Sequence, residues 1–208
     1  MELNGLNLGS IYALMALGYT MVYGIAKMLN FAHGDIIMVG AYTISVGATM
    51  FGLSPIASVL LSMVVCTILG VVIEKIAYKP LRLASPLTVL ITAIGVSYFL
   101  QSTALLIFGS EQRRVASVIT VKGFNLGPIE LTGESVVTLG ATTLIMIGVA
   151  LFINFTKTGK AMLAVSEDRG AAELMGINVN KTISITFAVG SMLAAVAGAL
   201  FVSSYGFV

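Results

Sequence analysis

Long apolar runs divide this chain almost end to end, and they leave it few ways to fold. Each run is near the length that crosses the hydrocarbon core of a bilayer as a helix. In lipid, only helices and closed barrels satisfy their own backbone. The runs read as spans at about 5–26, 36–53, 55–77, 86–109, 135–156 and 182–206. Of the 208 residues, 58% are hydrophobic and 10% charged, whereas soluble domains carry about 25% charged residues. The expected fold class is therefore all-α: a polytopic membrane bundle of about six helices. Met1-Glu2 carries no basic n-region and no cleavage site follows, so the first span is expected to insert as an anchor. Ser54-Pro55 reads as a tight reversal into the third span. Pro86 suits the first turn of the fourth, where its missing N–H costs nothing.

Loop charges orient the bundle. With the N-terminus outside, the inside segments hold Lys27, Lys75, Lys79, Arg82, Lys157, Lys160, Arg169 and Lys181. The outside loop holds Arg113, Arg114 and Lys122, diluted by Glu111, Glu130 and Glu134. This asymmetry places residues 157–181 in the cytoplasm and makes 110–134 an outside loop of one domain spanning 1–208. The Gly and Pro punctuation of VITVKGFNLGPIEL suggests a short extended hairpin in that loop.

The polar segment KTGKAMLAVSEDRGAAELMGINVNK, Lys157 to Lys181, interrupts the membrane material. Ser166 is read as an N-cap, with Glu167 and Asp168 favouring the positive helix end. Gly176 suits the C′ position. Between them a helix of about two and a half turns is expected, with Ala171, Leu174 and Met175 on one face and Ala172 beside them. So short a helix is marginal alone in water and needs a surface. Resting on its own bundle is one reading. Docking into a partner's cleft is preferred, because the face is small and knob-like.

A second constellation, Asn30-Phe31-Ala32-His33-Gly34-Asp35, joins the first two spans at the inside face. Asp35 is expected to cap the second span and Gly34 to permit its turn. His33 titrates in the neutral range when unperturbed, yet a structured turn is preferred to a transport role. Glu74 and Lys75 read as snorkelling interfacial charges. Thr88, Thr92, Ser97, Gln101 and Ser102 line an aqueous path or satisfy their own helix. Small residues recur at four-residue spacing: Ser58, Ser62, Cys66 and Gly70, extended by Glu74, and again Gly190, Ala194 and Gly198. Such stripes let helices approach closely in lipid. Gly9-Ser10 and Ala13 echo Gly190-Ser191 and Ala194, which an internal repeat or chance between two apolar helices equally explains.

No catalytic apparatus is visible. At Gly159-Lys160, Asn154 stands where a phosphate-binding loop needs its first Gly, and Ala161 where it needs Ser or Thr. One His and one Cys cannot assemble a multi-ligand metal site or a disulfide framework. No cofactor or metal is expected. The net charge of +2 carries no nucleic-acid signal, and no such partner is expected.

The stretch Gly5–Asp35, GLNLGSIYALMALGYTMVYGIAKMLNFAHGD, resembles the opening of the permease subunits of branched-chain amino acid ABC importers. So do TAIGVSYFLQ (Thr92–Gln101), TGKAMLAVSEDRGAAELMGINVNK (Thr158–Lys181) and the ITFAVGSMLAAVAGAL that follows. The likeness is to the high-affinity leucine/isoleucine/valine permeases of the first of two types. It runs through the chain in order. It implies a second permease subunit, two cytoplasmic ATPase subunits and an extracytoplasmic substrate-binding protein, in the cell membrane of a prokaryote. It also implies that Ser166–Gly176 is a coupling helix docking into an ATPase, with no covalent chemistry on the permease. Family members run on for further spans, so the chain is expected to be C-terminally truncated, and it lacks the leader of many relatives. Relatives moving urea or short amides share these motifs. A self-contained carrier or channel would want intramembrane ionisable residues for ion coupling, and a structural subunit without a pathway is the remaining alternative.

Overall fold

The computed structural model describes residues 2–82, 84–113, 124–126 and 129–208. Arg114 and Lys122, counted above in the outside loop, and Gly127-Pro128 of the expected hairpin lie outside the described residues. Eight α-helices run through the described chain: α1 (Glu2–Ala26), α2 (His33–Thr49), α3 (Pro55–Ile73), α4 (Pro86–Phe108), α5 (Gly133–Phe155), α6 (Lys157–Glu167), α7 (Arg169–Leu174) and α8 (Val179–Tyr205). α3 continues through a π-turn, Glu74–Tyr78, and a 3-10 turn, Lys79–Leu81. Strands β1 (Phe124–Leu126) and β2 (Ile129–Leu131) pair antiparallel, with Phe124 opposite Leu131.

Local chemistry sets the helix starts. Ser54 accepts a hydrogen bond from Ala57 N, Ser85 accepts one from Thr88 N, and Pro55 and Pro86 occupy the first turns behind them. Gly52, at φ +59°, turns the chain between α2 and α3. Among the described residues, five helical stretches are long and apolar enough to cross a membrane: Gly5–Ala26, Pro55–Leu81, Pro86–Phe108, Gly133–Phe155 and Val179–Tyr205. The second expected span, 36–53, corresponds to α2, which has 17 residues and begins at His33.

α8 is the axis of the bundle. It packs on α1, α2 and α3, with α5 outside α1 and α4 resting on α2. Small residues make this closeness possible. Ser58, Ser62, Cys66, Gly70 and Glu74 form one buried face of α3 and its π-turn. The Ser62 hydroxyl donates to Gly40 O at 3.0 Å. A Cβ on Gly70 would overlap the Ser191 side chain. A Cβ on Gly198 would lie 2.8 Å from Ile37 O, and one on Gly190 2.7 Å from a Val22 methyl. Ala194 between them is fully buried. At one end of the bundle, the backbones of Arg113 and Val208 exchange hydrogen bonds of 2.8 and 3.0 Å. The other end carries α6 and α7.

Candidate functional site

Two helix starts carry most of the polar chemistry, and both differ from expectation. The first is at α7. Ser166 does not cap it: Ser166 lies inside α6, and its hydroxyl donates back to Leu163 O at 2.7 Å. Glu167 is the last residue of α6. The cap is Asp168, whose carboxylate accepts from Gly170 N at 2.7 Å and Ala171 N at 3.0 Å. The expected single helix is therefore a longer α6 and a short α7, broken where Asp168 turns extended. The carboxylate competes for the backbone N–H groups of a new helix start. Gly176, at φ +82°, closes α7 in the left-handed conformation.

The faces of α7 divide cleanly. Ala172 packs inward, so it does not share the exposed face. Ala171 is exposed, Leu174 is 91% exposed and Met175 83%. Leu and Met side chains bared to this degree beyond the membrane spans are an apolar patch in search of cover. Arg169, the half-buried first residue of α7, donates to Ala26 O at the end of α1. Burial, and then the positive charge of Arg82, lower its pKa below the ordinary arginine value.

The second start is at α2. The chain leaves α1 through Lys27, at φ +52°. The turn expected at Gly34 is made here instead; Gly34 is helical and a Cβ on it would meet nothing. Asn30 accepts from the Tyr78 hydroxyl at 3.0 Å, and Asn30 O accepts from His33 N. Ala32 occupies the N-cap position with no side-chain bond to the helix. Asp35 does not cap α2. Its Oδ1 accepts from Gln101 Nε2 of α4 at 3.0 Å, and Gln101 also reaches Ser97 Oγ at 3.1 Å.

This start lies within the helix layer rather than at its edge. His33 Cε1 is 3.0 Å from where a Cβ of Gly18 would be. Gly18 precedes the end of α1 by eight residues, about 12 Å at the helical rise. Gln101 stands fifteen residues inside α4, about 22 Å from Pro86. The motif placed above at the inside face thus runs back between the helices: Asn30, Ala32, His33 and Asp35 are buried, while Phe31 is half-exposed. Irregular backbone at membrane depth is tolerated where protein surrounds it. His33 Nε2 and Asp35 Oδ2 are buried without partners.

Glu74 is a third correction. It is no snorkelling anchor but fully buried, ion-paired with Arg82 and accepting from Ser184 Oγ. Arg82 also donates to Asn180, the second residue of α8. Lys75 beside it is exposed, as an interfacial lysine is. Glu74 and Arg82 meet across the π-turn and the 3-10 turn that continue α3. The sequence carried a hint: Glu74 extends the small-residue stripe, which is the buried face.

Membrane-length helices around a small-residue axis, with charged short helices at one end, define a multi-pass membrane protein. Among such proteins the family is settled by likeness: the model for the branched-chain amino acid transport system permease component matches residues 1–208. The chain belongs to that family. It is 39% identical to the high-affinity branched-chain amino acid transport system permease protein BraD of Pseudomonas aeruginosa, over 98% of this chain and 70% of that protein. It is 39% identical over the same shares to LivH of Escherichia coli K12. It is 30% identical to the probable branched-chain amino acid transport permease LivH of Methanocaldococcus jannaschii, over 92% of this chain and 62% of that one. No solved structure matches the chain.

Proposed function

We propose that this chain is a permease subunit of an ABC importer for branched-chain amino acids, forming part of the translocation pathway. ATP is hydrolysed on two cytoplasmic ATPase subunits. A second permease subunit completes the membrane part, and an extracytoplasmic binding protein delivers substrate. The N-terminus faces outside, and α6 and α7 face the cytoplasm of a prokaryotic cell. The observation that carries this reading is the bared Leu174–Met175 face on a capped helix beyond the spans, in a chain whose whole length fits a transport permease family. α7 offers an ATPase subunit two apolar knobs. It is tied back to the bundle through Ala172 and Arg169, so movement of α7 reaches α1. Such coupling needs contacts that differ between the two states of the transporter.

The test is uptake of radiolabelled leucine, isoleucine and valine by proteoliposomes holding the assembled transporter, with urea and acetamide as competing cargo. ATP-dependent uptake of the three amino acids is expected. Uptake of urea or acetamide alone would replace the substrate assignment and keep the permease. Uptake without any ATPase subunit would overturn the ABC reading. Orientation is tested separately by labelling single cysteines at 112 and 173 from outside intact cells. Only position 112 should react.

A further inference from the structure

A cavity of about 420 Å³ opens at the α7 end of the bundle. Three cationic side chains line it: Lys27 from the α1 exit, Arg82 from the turn before α4, and Arg169 from α7. Met28, Pro86 and Leu90 are among its apolar wall residues. Glu74 offsets one of these charges through its pair with Arg82. Among the described residues, Lys27 and Arg169 have no carboxylate partner. The Arg82 side chain is only 10% exposed, and its Nε is buried with no hydrogen-bond partner.

We infer that this cavity binds a phosphate group, and that the phosphate is the headgroup of an anionic phospholipid. The three positive charges call for an anion with several acceptor oxygens. Guanidinium groups suit such an anion better than a chloride, because their planar donors match its geometry. The apolar wall favours a lipid over a free ion. Lys27 ends one membrane-length helix and Pro86 begins another, so the cavity lies at the level where headgroups sit beside the ends of spans. Pockets of this kind between helix ends recognise acidic headgroups. The site uses none of the exposed face of α7, and it shares only Arg169 with the tie between α7 and α1.

The assembled transporter, purified in detergent, is titrated with dioleoyl phosphatidylglycerol, dioleoyl phosphatidylcholine or inorganic phosphate. Native mass spectrometry reads the bound lipid, and thermal unfolding reads its effect. Phosphatidylglycerol should bind and raise the unfolding temperature, and phosphatidylcholine should not. Lys27→Asn keeps a residue that tolerates the left-handed backbone and removes one cation. It should weaken phosphatidylglycerol about fivefold, the worth of one cation at a lipid surface. Arg169→Gln, which keeps a donor for Ala26 O, should do the same. Lys75→Asn, which removes an equal charge outside the cavity, should change nothing. Equal weakening by Lys75→Asn, or unchanged binding in both cavity variants, would overturn the site. If inorganic phosphate competes as well as the lipid does, the site is a free-phosphate site and the lipid assignment falls.

Discussion

The starts of α7 and α2 each hold an aspartate, and the two use it in opposite ways. Asp168 faces water and satisfies two backbone N–H groups of its own helix. Asp35 is buried, leaves its helix uncapped, and reaches across to Gln101. The difference follows from surroundings. In water a loose carboxylate gains most by ordering the nearest orphan N–H groups. Within a helix bundle, a buried carboxylate would be left unpartnered, and joining a polar side chain on a neighbouring helix is worth more. One aspartate shapes a local element; the other ties two helices. Local shape at one end and long-range ties elsewhere should therefore respond differently to substitution.

The largest effect is expected among the ties. Glu74→Gln removes the charge that compensates Arg82 and leaves a buried guanidinium unpaired. Breaking such a pair by removing one partner costs about 3–5 kcal/mol. Thermal unfolding of the detergent-purified chain should show it. Adding Arg82→Gln should recover much of the loss, because the uncompensated charge goes with it. If Glu74→Gln unfolds like the unaltered chain, the buried pair contributes nothing, and an exposed, snorkelling Glu74 returns as the better description.

At the α7 end the largest effect should be on function and not on folding. Leu174→Asp leaves a residue that is 91% exposed still exposed in the isolated chain. In a docked interface it buries an unpaired charge, expected to cost several kcal/mol. Stimulated ATP hydrolysis by the reconstituted transporter should be lost while membrane insertion is kept. Normal assembly and normal stimulation would make this helix a surface loop and remove the coupling proposal.

A smaller effect tests Asp35 itself. Gln101→Leu removes the donor to Asp35 Oδ1 and leaves both carboxylate oxygens without a partner. A buried acceptor left unsatisfied costs about 1–3 kcal/mol. Ser97→Ala, at the outer edge of the same chain of hydrogen bonds, should cost much less. Equal unfolding temperatures for the two variants would show that Asp35 does not tie α2 to α4.

These ties are where the sequence was hardest to read. Helix identity and order were legible, because length, apolarity and the Ser-Pro pairs at 54–55 and 85–86 are local signals. The small-residue stripe on α3 was legible as a periodicity, and so were Gly176 and the exposed knobs of α7. The partners of Asp35 and Glu74 were not. Gln101 lies 66 residues away from Asp35, and Ser184 lies 110 from Glu74. No pattern within one helix announces such a meeting. The return of the chain at Lys27 was hidden too, because a left-handed lysine has no signature and Gly34 offered a more conventional turn. The break at Asp168 was a near miss of two residues: Ser166 and Asp168 are both good caps, and only the backbone of α6 decides between them.

That near miss gives the smallest and sharpest prediction. Asp168→Ala removes both cap hydrogen bonds of α7, and loss of such a cap costs about 1 kcal/mol. A helix of six residues has little else to hold it. Its amides should exchange with deuterium several-fold faster, with the change confined to residues 169–175. Ser166→Ala should leave those amides alone, because its hydroxyl only bonds back to Leu163 O within α6. Global unfolding should be nearly the same for both variants, since neither residue is buried. The comparison is thus internal: two substitutions two residues apart, one local readout. If Ser166→Ala accelerates exchange in 169–175 as much as Asp168→Ala does, then one helix runs through this segment with its cap at Ser166. The division into α6 and α7 would then be wrong, and the exposed face of Leu174 and Met175 would be presented by a longer, stiffer helix.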